Sequence, residues 1–285
     1  MQHPAELAIH SFLRGVLDGK ASMPAPVIAE VASDVQEALT KQFQHDTKKR
    51  EFKIRMSNIG RPKCQLWFDK NKPEGAEPLP VSFKINMIIG DIVEAVFKGL
   101  LRASGTSFDD NDKVTLKLSN GGEVSGEYDM VLDGKVDDVK SASPWSFTNK
   151  FEDFHTLNKG DTFGYVSQLV GYATAADKGV GGWWVVNKAN GDFKYVPASS
   201  VNQQEELDKI KATVDTVNSN AFQRCFEPVA EYFRGKPTGN TVLNSGCRFC
   251  SYRQDCWDIT ERPAVKSQAR EPKMVSYLSL TEEFV

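Results

Sequence analysis

The stretch 123–140, EVSGEYDMVLDGKVDDVK, constrains the fold most strongly, because it predicts a β-hairpin of defined register. Two strand-like runs flank Asp133-Gly134, a dipeptide that favours a two-residue type I′ turn. A turn of this length fixes which residues face each other, and counting back from it puts Asp129 opposite Asp138. The sequence therefore predicts two carboxylates directly across from each other on adjacent strands.

Two further charges belong to this predicted group. Side chains alternate along a strand, so Lys140 shares a face with Asp138, and Glu127 falls opposite Lys140. Like charges in opposing cross-strand positions are destabilising unless something positive lies between them. A hard divalent cation such as Mg²⁺, held by carboxylates and substrate phosphate, fits this arrangement. A solvated hairpin whose charges repel weakly in water is the other interpretation of this stretch.

The overall composition narrows the class of protein. The chain has 285 residues, of which 40% are hydrophobic and 26% are charged, as is ordinary for a globular protein. Neither a membrane span nor a secretory signal is apparent, so we expect a cytoplasmic protein without a membrane partner. The net charge of −3 means that any nucleic-acid contact depends on a local basic track.

The other elements follow from hydrophobic periodicity and turn signals. Helices are predicted at 5–19, 26–45, 82–103, 161–177 and 203–233, and strands at 113–118, 122–132, 135–142, 183–186 and 193–196. Of the adjacent Trp183 and Trp184, one is expected to face the core and the other to face outward. The order of helices and strands predicts an α/β core with a mixed sheet flanked by helices. No element is predicted in the polar final stretch, 258–285.

Three polar residues on predicted helices allow two interpretations each. Glu94 lies in a mostly apolar helix, where it either pairs with Lys98 four residues on or serves as a third carboxylate of the metal site. Gln168 and Tyr172 are also four residues apart, so they share one helix face. They are either a polar patch beside a packed tyrosine or part of a site.

Five cysteines in a reducing compartment argue against a disulfide framework and make their spacing informative. Cys247, Cys250 and Cys256 form a compact C-x2-C-x5-C loop of the kind that selects zinc or an iron–sulfur cluster. A fourth ligand is needed. Cys225 is predicted in the middle of a helix on its apolar side, where a small buried cysteine is the simplest interpretation, and Cys64 is predicted in a loop between helices.

These motifs together resemble those of the PD-(D/E)xK nuclease superfamily, over about residues 57–256. The matching motifs are Gly90-x-x-x-Glu94, Gly126-x-x-Asp129, Asp138-x-Lys140 and Gln168-x-x-x-Tyr172. The last is similar to the Q-x-x-x-Y motif of the RecB-like branch, and in the first a small residue lets the helix approach the sheet. The resemblance implies a restriction-endonuclease-like core, with an N-terminal helical region at 1–56 and a C-terminal tail at 257–285.

The resemblance also implies roles for these residues. The site of one or two Mg²⁺ or Mn²⁺ ions would consist of Glu94, Asp129, Asp138 and the carbonyl of Val139. Lys140 would position or activate the attacking water, and Gln168 and Tyr172 would steady Lys140 or the DNA backbone. The expected activity is that of a DNA exonuclease acting on single strands or DNA ends, with 5′ to 3′ polarity.

The cysteine pattern is similar to that of iron–sulfur nucleases, which include AddB-type helicase–nuclease subunits and CRISPR-associated RecB-like exonucleases. The resemblance selects Cys64 as the fourth ligand beside Cys247, Cys250 and Cys256, and implies a structural 4Fe–4S cluster. The CRISPR-associated group usually has histidine where this chain has Glu94. That departure favours a nuclease of replication, recombination or repair, including a phage-borne one, with proteins of those processes as partners.

Two hypotheses of other classes compete with the exonuclease. One is a non-catalytic DNA-binding module with a structural four-cysteine zinc site, in which the acids are incidental. The other is a redox iron–sulfur protein. Metal content separates the zinc module from the iron–sulfur proteins, and nuclease activity separates the two iron–sulfur hypotheses.

Overall fold

The computed structural model describes residues 2–44, 52–219, 221–265 and 267–280. The chain forms two compact units, and each is discontinuous in sequence. The first unit comprises Met1–Arg61 and Pro80–Asp215, and the second comprises Pro62–Leu79 and Thr216–Val285. The boundaries expected at 56 and 256 do not coincide with this division. None of the helices in the described ranges is long and apolar enough to cross a membrane.

The first unit is built on a five-stranded sheet with strand order β1-β2-β3-β4-β5. Its strands are β1 (Asp109–Lys117), β2 (Glu123–Leu132), β3 (Lys135–Ala142), β4 (Gly179–Asn187) and β5 (Phe193–Pro197). Only the β3–β4 pair of this sheet is parallel, so the sheet is mixed, as predicted.

The hairpin of β2 and β3 has the predicted turn and register. Leu132 pairs with Lys135 and Met130 pairs with Asp137. Asp133 has φ 50° and Gly134 has φ 75°, and a type I′ turn requires positive φ at both positions.

The described part of the chain also contains eight α-helices. They are α1 (Pro4–Leu17), α2 (Ala25–Phe43), α3 (Lys63–Asn71), α4 (Val81–Ala103), α5 (Phe154–Lys159), α6 (Tyr165–Ala175), α7 (Gln203–Asn218) and α8 (Arg253–Cys256), of which α3 and α8 belong to the second unit. A short π-helix, Ser146–Lys150, follows β3. The apolar faces of α1 and α4 pack on the sheet through Ile9, Phe97, Met130 and Trp184, which are buried together.

Two predictions about the first unit's later elements are wrong. Trp183 and Trp184 are both buried, because β4 is an interior strand and both faces of the sheet are covered at that point. The helix predicted at 203–233 ends at Asn218, and Val229–Phe233 is a strand. Pro228 precedes that strand, and a proline disfavours helical backbone in the residue before it.

The second unit holds a four-stranded antiparallel sheet with order β6-β7-β9-β8. Its strands are β6 (Val229–Phe233), β7 (Lys236–Val242), β8 (Thr260–Pro263) and β9 (Met274–Ser279). Two of them lie in the final stretch for which the sequence predicted no element. The buried Tyr277 donates a hydrogen bond of 2.7 Å to Glu231, which links β9 to β6.

Candidate active site and cysteine site

The candidate active site begins with Asp138 and Lys140, two positions apart on β3. Lys140 Nζ donates a 2.7 Å hydrogen bond to Asp138 Oδ1 and also lies 2.5 Å from Oδ2. The Asp138 side chain is 4% exposed, and its Oδ2 accepts no hydrogen bond from any described residue. Both oxygens of this buried carboxylate therefore lie beside the same ammonium group.

Asp129 lies on the adjacent strand, one residue beyond the last observed pair of the hairpin, Met130 with Asp137. Its Oδ2 accepts a 2.7 Å hydrogen bond from the Val139 N–H, which fixes the carboxylate against β3. Burial and then the charge of Asp138 raise the pKa of Asp129 to about 6. Burial also raises the pKa of Asp138, against the opposing charge of Lys140. The charge of Asp138 therefore acts on the Asp129 carboxyl.

Glu94 reaches the same group of charges from α4. Its Oε1 forms the predicted ion pair with Lys98, at 2.9 Å, and the Lys98 side chain is only 5% exposed. Burial and then the charge of Asp129 raise the pKa of Glu94 to about 7, while Lys98 and Lys140 oppose that rise. The two interpretations of Glu94 are therefore compatible, because Glu94 forms an ion pair with Lys98 and its pKa is also raised by the charge of Asp129.

Lys140 is held as an ammonium group. Burial lowers the pKa of Lys140, but the charges of Asp138 and Asp129 outweigh burial, and the pKa lies above its ordinary value. The ammonium lies 5.2 Å from the centre of the Tyr165 ring. A lysine in these surroundings donates hydrogen bonds and positive charge, and it does not accept a proton near neutral pH.

Gln168 and Tyr172 meet on α6, where Gln168 Nε2 donates to Tyr172 Oη at 3.4 Å. Tyr172 is buried, and burial raises its pKa to about 12. A Cβ on Gly126 would lie 2.6 Å from Tyr172 Cε1, so only glycine at this position lets β2 pass the tyrosine ring.

The glycine of the first motif does not have the expected role. Apart from its own helix, no described atom lies within 4 Å of where a Cβ on Gly90 would be, so a small residue there permits no close approach. The close contact on α4 is at Gly99, whose Cβ would collide with Val31 on α2. The helix therefore needs a small residue where it packs on another helix, nine residues after the predicted position.

The carboxylates of Glu94, Asp129 and Asp138 are suitable ligands for a hard divalent cation, although the described side chains are not arranged around a single ion position. Within the residues that the structure describes, no three or more His, Cys, Asp or Glu side chains are close enough to hold a metal ion. Two of the acids are instead paired with lysines, Glu94 with Lys98 and Asp138 with Lys140. Carboxylate oxygens are nevertheless the ligand type that Mg²⁺ and Mn²⁺ prefer. The role of the Val139 carbonyl stays a prediction.

All five cysteines lie in the second unit. Cys64, Cys247, Cys250 and Cys256 line one small cavity, whose walls also include Phe68, Phe226 and Trp257. Cys64 lies in the first turn of α3, and not in a loop as predicted. Segments that are far apart in sequence therefore place four thiols around one apolar space. Soft thiolate donors of this number suit either zinc or an iron–sulfur cluster.

Cys225 joins this group, contrary to its prediction as a buried residue within a helix. It is exposed and lies outside the described helices, and the Cys64 N–H donates to its Sγ at 3.0 Å. Its hydrogen bond with Cys64 lowers the pKa of the Cys225 thiol to about 7 and, together with burial, raises that of Cys64. Burial and the neighbouring Cys250 and Cys256 raise the pKa of Cys247 to about 11. Sequence reasoning missed Cys225 because the helix predicted there does not exist.

No protein-family model matches the chain, and no curated protein matches it. Among solved structures, the chain is similar to one described as the crystal structure of SSO0001. The similarity has a TM-score of 0.38 and 13% sequence identity, and it covers 70% of this chain and 90% of that one. A similarity of this degree identifies neither a family nor an activity.

Proposed function

We propose that the protein is a metal-dependent DNA exonuclease with a restriction-endonuclease-like core of the RecB-like kind and a structural 4Fe–4S cluster. Its substrate would be single-stranded DNA or DNA ends, in replication, recombination or repair. The observation that carries the proposal is the group of Glu94, Asp129, Asp138 and Lys140, whose three acids all have raised pKa values.

The burial of three neighbouring acids, together with their raised pKa values, supports the proposal of a cation site. Burial keeps Asp129 and Asp138 from ionising easily, and the charge of Asp138 makes ionisation of Asp129 harder. The charge of Lys140 offsets this cost only in part, because both pKa values stay raised. Bound Mg²⁺ or Mn²⁺, held by Glu94, Asp129 and Asp138, would neutralise charge on the scissile phosphate and acidify water.

The role that fits Lys140 is electrostatic. Because its pKa is raised, the ammonium stays charged at neutral pH and donates hydrogen bonds to the water or to the phosphate oxygens. Gln168 and Tyr172 are positioning residues in this scheme. The buried Tyr172 hydroxyl, held by Gln168, would orient Lys140 or a phosphate of the bound strand. Contacts of this kind read the backbone and not the base sequence.

The cysteine site is proposed to stabilise the second unit. Cys64, Cys247, Cys250 and Cys256 would hold the cluster, since all four line the same cavity. A shared cofactor would join α3 to a segment far along the chain. Loop closure costs more free energy as the loop lengthens, although slowly, so a link of this span stabilises the folded unit considerably.

The test is cleavage of end-labelled single- and double-stranded DNA with Mg²⁺, Mn²⁺ or EDTA after anaerobic purification. Asp138→Asn is expected to lower the cleavage rate by a factor of about 100 or more and to leave DNA binding intact. Asp133→Asn, on the turn of the same hairpin, is the matched control, because it removes an aspartate charge outside the site and asparagine tolerates positive φ. Undiminished cleavage by Asp138→Asn would reject the proposed site.

One observation favours a second candidate. Lys98 and Lys140 already pair with Glu94 and Asp138, so these acids do not require a metal to be neutralised. The protein would then be a non-catalytic DNA-binding module whose four cysteines hold structural zinc. Elemental analysis of the purified protein separates the two, because the exonuclease contains iron and is brown, whereas the zinc module is colourless.

A further inference from the structure

Phe163 is a phenylalanine whose ring is exposed to solvent. It lies between α5 and α6, and 62% of it is exposed. Phe151, twelve residues earlier, is only 3% exposed. Aromatic rings usually contribute to stability by burying their surface, so the open ring of Phe163 adds little to the core.

The open ring belongs to a series of contacts that starts at the proposed reaction centre. The Lys140 ammonium lies 5.2 Å from the centre of the Tyr165 ring. The Tyr165 ring lies nearly parallel to that of Phe163, with 5.7 Å between their centres and 13° between their planes. The Tyr165 ring therefore lies in contact with both Phe163 and the Lys140 ammonium.

A second lysine accompanies the two rings. The Lys150 ammonium lies 4.3 Å from the centre of the Phe163 ring and 4.4 Å from that of Tyr165. Lys150 comes from the π-helix Ser146–Lys150, and single π-turns are frequent at functional sites. An open ring beside an ammonium offers a surface for a base together with a charge for its phosphate.

The segment that carries Phe163 is held in place. Asp161 Oδ2 accepts a 2.9 Å hydrogen bond from the Val166 N–H at the start of α6. Gly164 has φ 71° and packs so closely on Gly60 that a Cβ on either glycine would collide with the other's backbone. A ring on a fixed segment loses little conformational freedom when it binds a ligand.

We propose that Phe163 stacks on one base of single-stranded DNA while Lys150 binds the adjacent phosphate. The inference rests on the proposed function, since Lys140 marks the reaction centre only if the chain cleaves DNA. Stacking on an open ring accepts any base, so this contact would hold the strand at the site without selecting a sequence.

The test measures binding of a fluorescent single-stranded oligonucleotide to the full-length protein, by anisotropy and without divalent cations. Phe163→Leu is expected to weaken binding about 5- to 150-fold, whereas Phe163→Trp retains it. Phe43→Leu is the matched control, because Phe43 on α2 is 61% exposed and lies outside the ring series. The Phe43→Leu variant should bind the oligonucleotide with the affinity of the wild type. Lys150→Gln is expected to reduce the slope of log affinity against log salt by about 0.7.

An abasic nucleotide moved along the oligonucleotide isolates the stacking contact. At one position it should weaken binding by the wild-type protein and have no further effect on Phe163→Leu. Equal losses in both proteins at every position would overturn the proposal, as would a Phe163→Leu variant that binds like the wild type. If the wild type neither binds nor cleaves DNA, the proposed function fails as well, and cleavage assays run in parallel separate these two results.

Discussion

Replacing Asp129 with asparagine should stabilise the metal-free protein above neutral pH. Asparagine keeps an oxygen that can accept the Val139 N–H and removes the charge that Asp138 and burial disfavour. The pKa of Asp129 rises from 3.8 to about 6, and each unit corresponds to 1.36 kcal/mol, so the upper bound is about 3 kcal/mol. Because Asp129 is only partly buried and solvent screens its charge, we expect about 1–2 kcal/mol.

The pH dependence has a definite sign. A carboxyl group whose pKa is higher in the folded state contributes stability below its unfolded pKa, and that stability is lost as pH rises through its folded pKa. The wild type should therefore lose stability relative to Asp129→Asn between about pH 4 and pH 6, and the difference should stay constant above that range.

The assay is thermal unfolding of both proteins in EDTA at intervals from pH 4 to pH 8. The melting temperature of a unit of this size changes by about 2–4 °C for each kcal/mol of unfolding free energy. The variant should therefore melt about 2–8 °C above the wild type at pH 8 and at the same temperature as the wild type at pH 4. Excess Mn²⁺ should raise the melting temperature of the wild type and have less effect on the variant. A variant that melts below the wild type at pH 8 would refute the argument that the aspartates repel each other.

Two further predictions concern glycines and thiols. Gly126→Ala should lower the free energy of unfolding by about 1–3 kcal/mol, because the added Cβ collides with Tyr172. Gly90→Ala should raise the free energy of unfolding by about 0.5–1 kcal/mol, because it replaces a helical glycine that has space for a Cβ. Thermal unfolding measures both, and changes of the same sign would contradict the structure. Cys64→Ser should lose most of the bound iron and Cys225→Ser should retain it, since Cys64 lines the cavity, and elemental analysis that gave the reverse would show that Cys225 is the ligand.

The hairpin and its charges could be predicted because they depend on local rules. The positive φ angles of Asp133 and Gly134 fix a two-residue turn, and the turn then sets the register from Leu132 with Lys135 to Met130 with Asp137. The i,i+4 contacts of Glu94 with Lys98 and of Gln168 with Tyr172 follow from helix geometry in the same way. Each of these predictions needs only residues that are close in sequence or linked by one turn.

The remaining features depend on contacts between distant segments. The burial of both Trp183 and Trp184 depends on helices that cover both faces of the sheet, which strand alternation does not reveal. The position of Cys225 beside Cys64 required the predicted helix to end early, and helix periodicity continued past its true end. The strands β8 and β9 were missed in the final stretch because β8 pairs with β9, and β9 pairs with β7, which follows the region predicted as helix.

The interleaving of the second unit has a consequence for how the protein matures. Cys64 and Cys225 are 161 residues apart, and at 5–20 residues per second a ribosome needs roughly 10–30 s to make the intervening chain. During that interval the β1–β5 sheet can already assemble, whereas the later cysteines that lie near Cys64 in the folded unit have not been synthesised. Delivery of the proposed cofactor would therefore follow translation, and a cell short of it would accumulate chains with a folded acidic centre and an unfinished second unit.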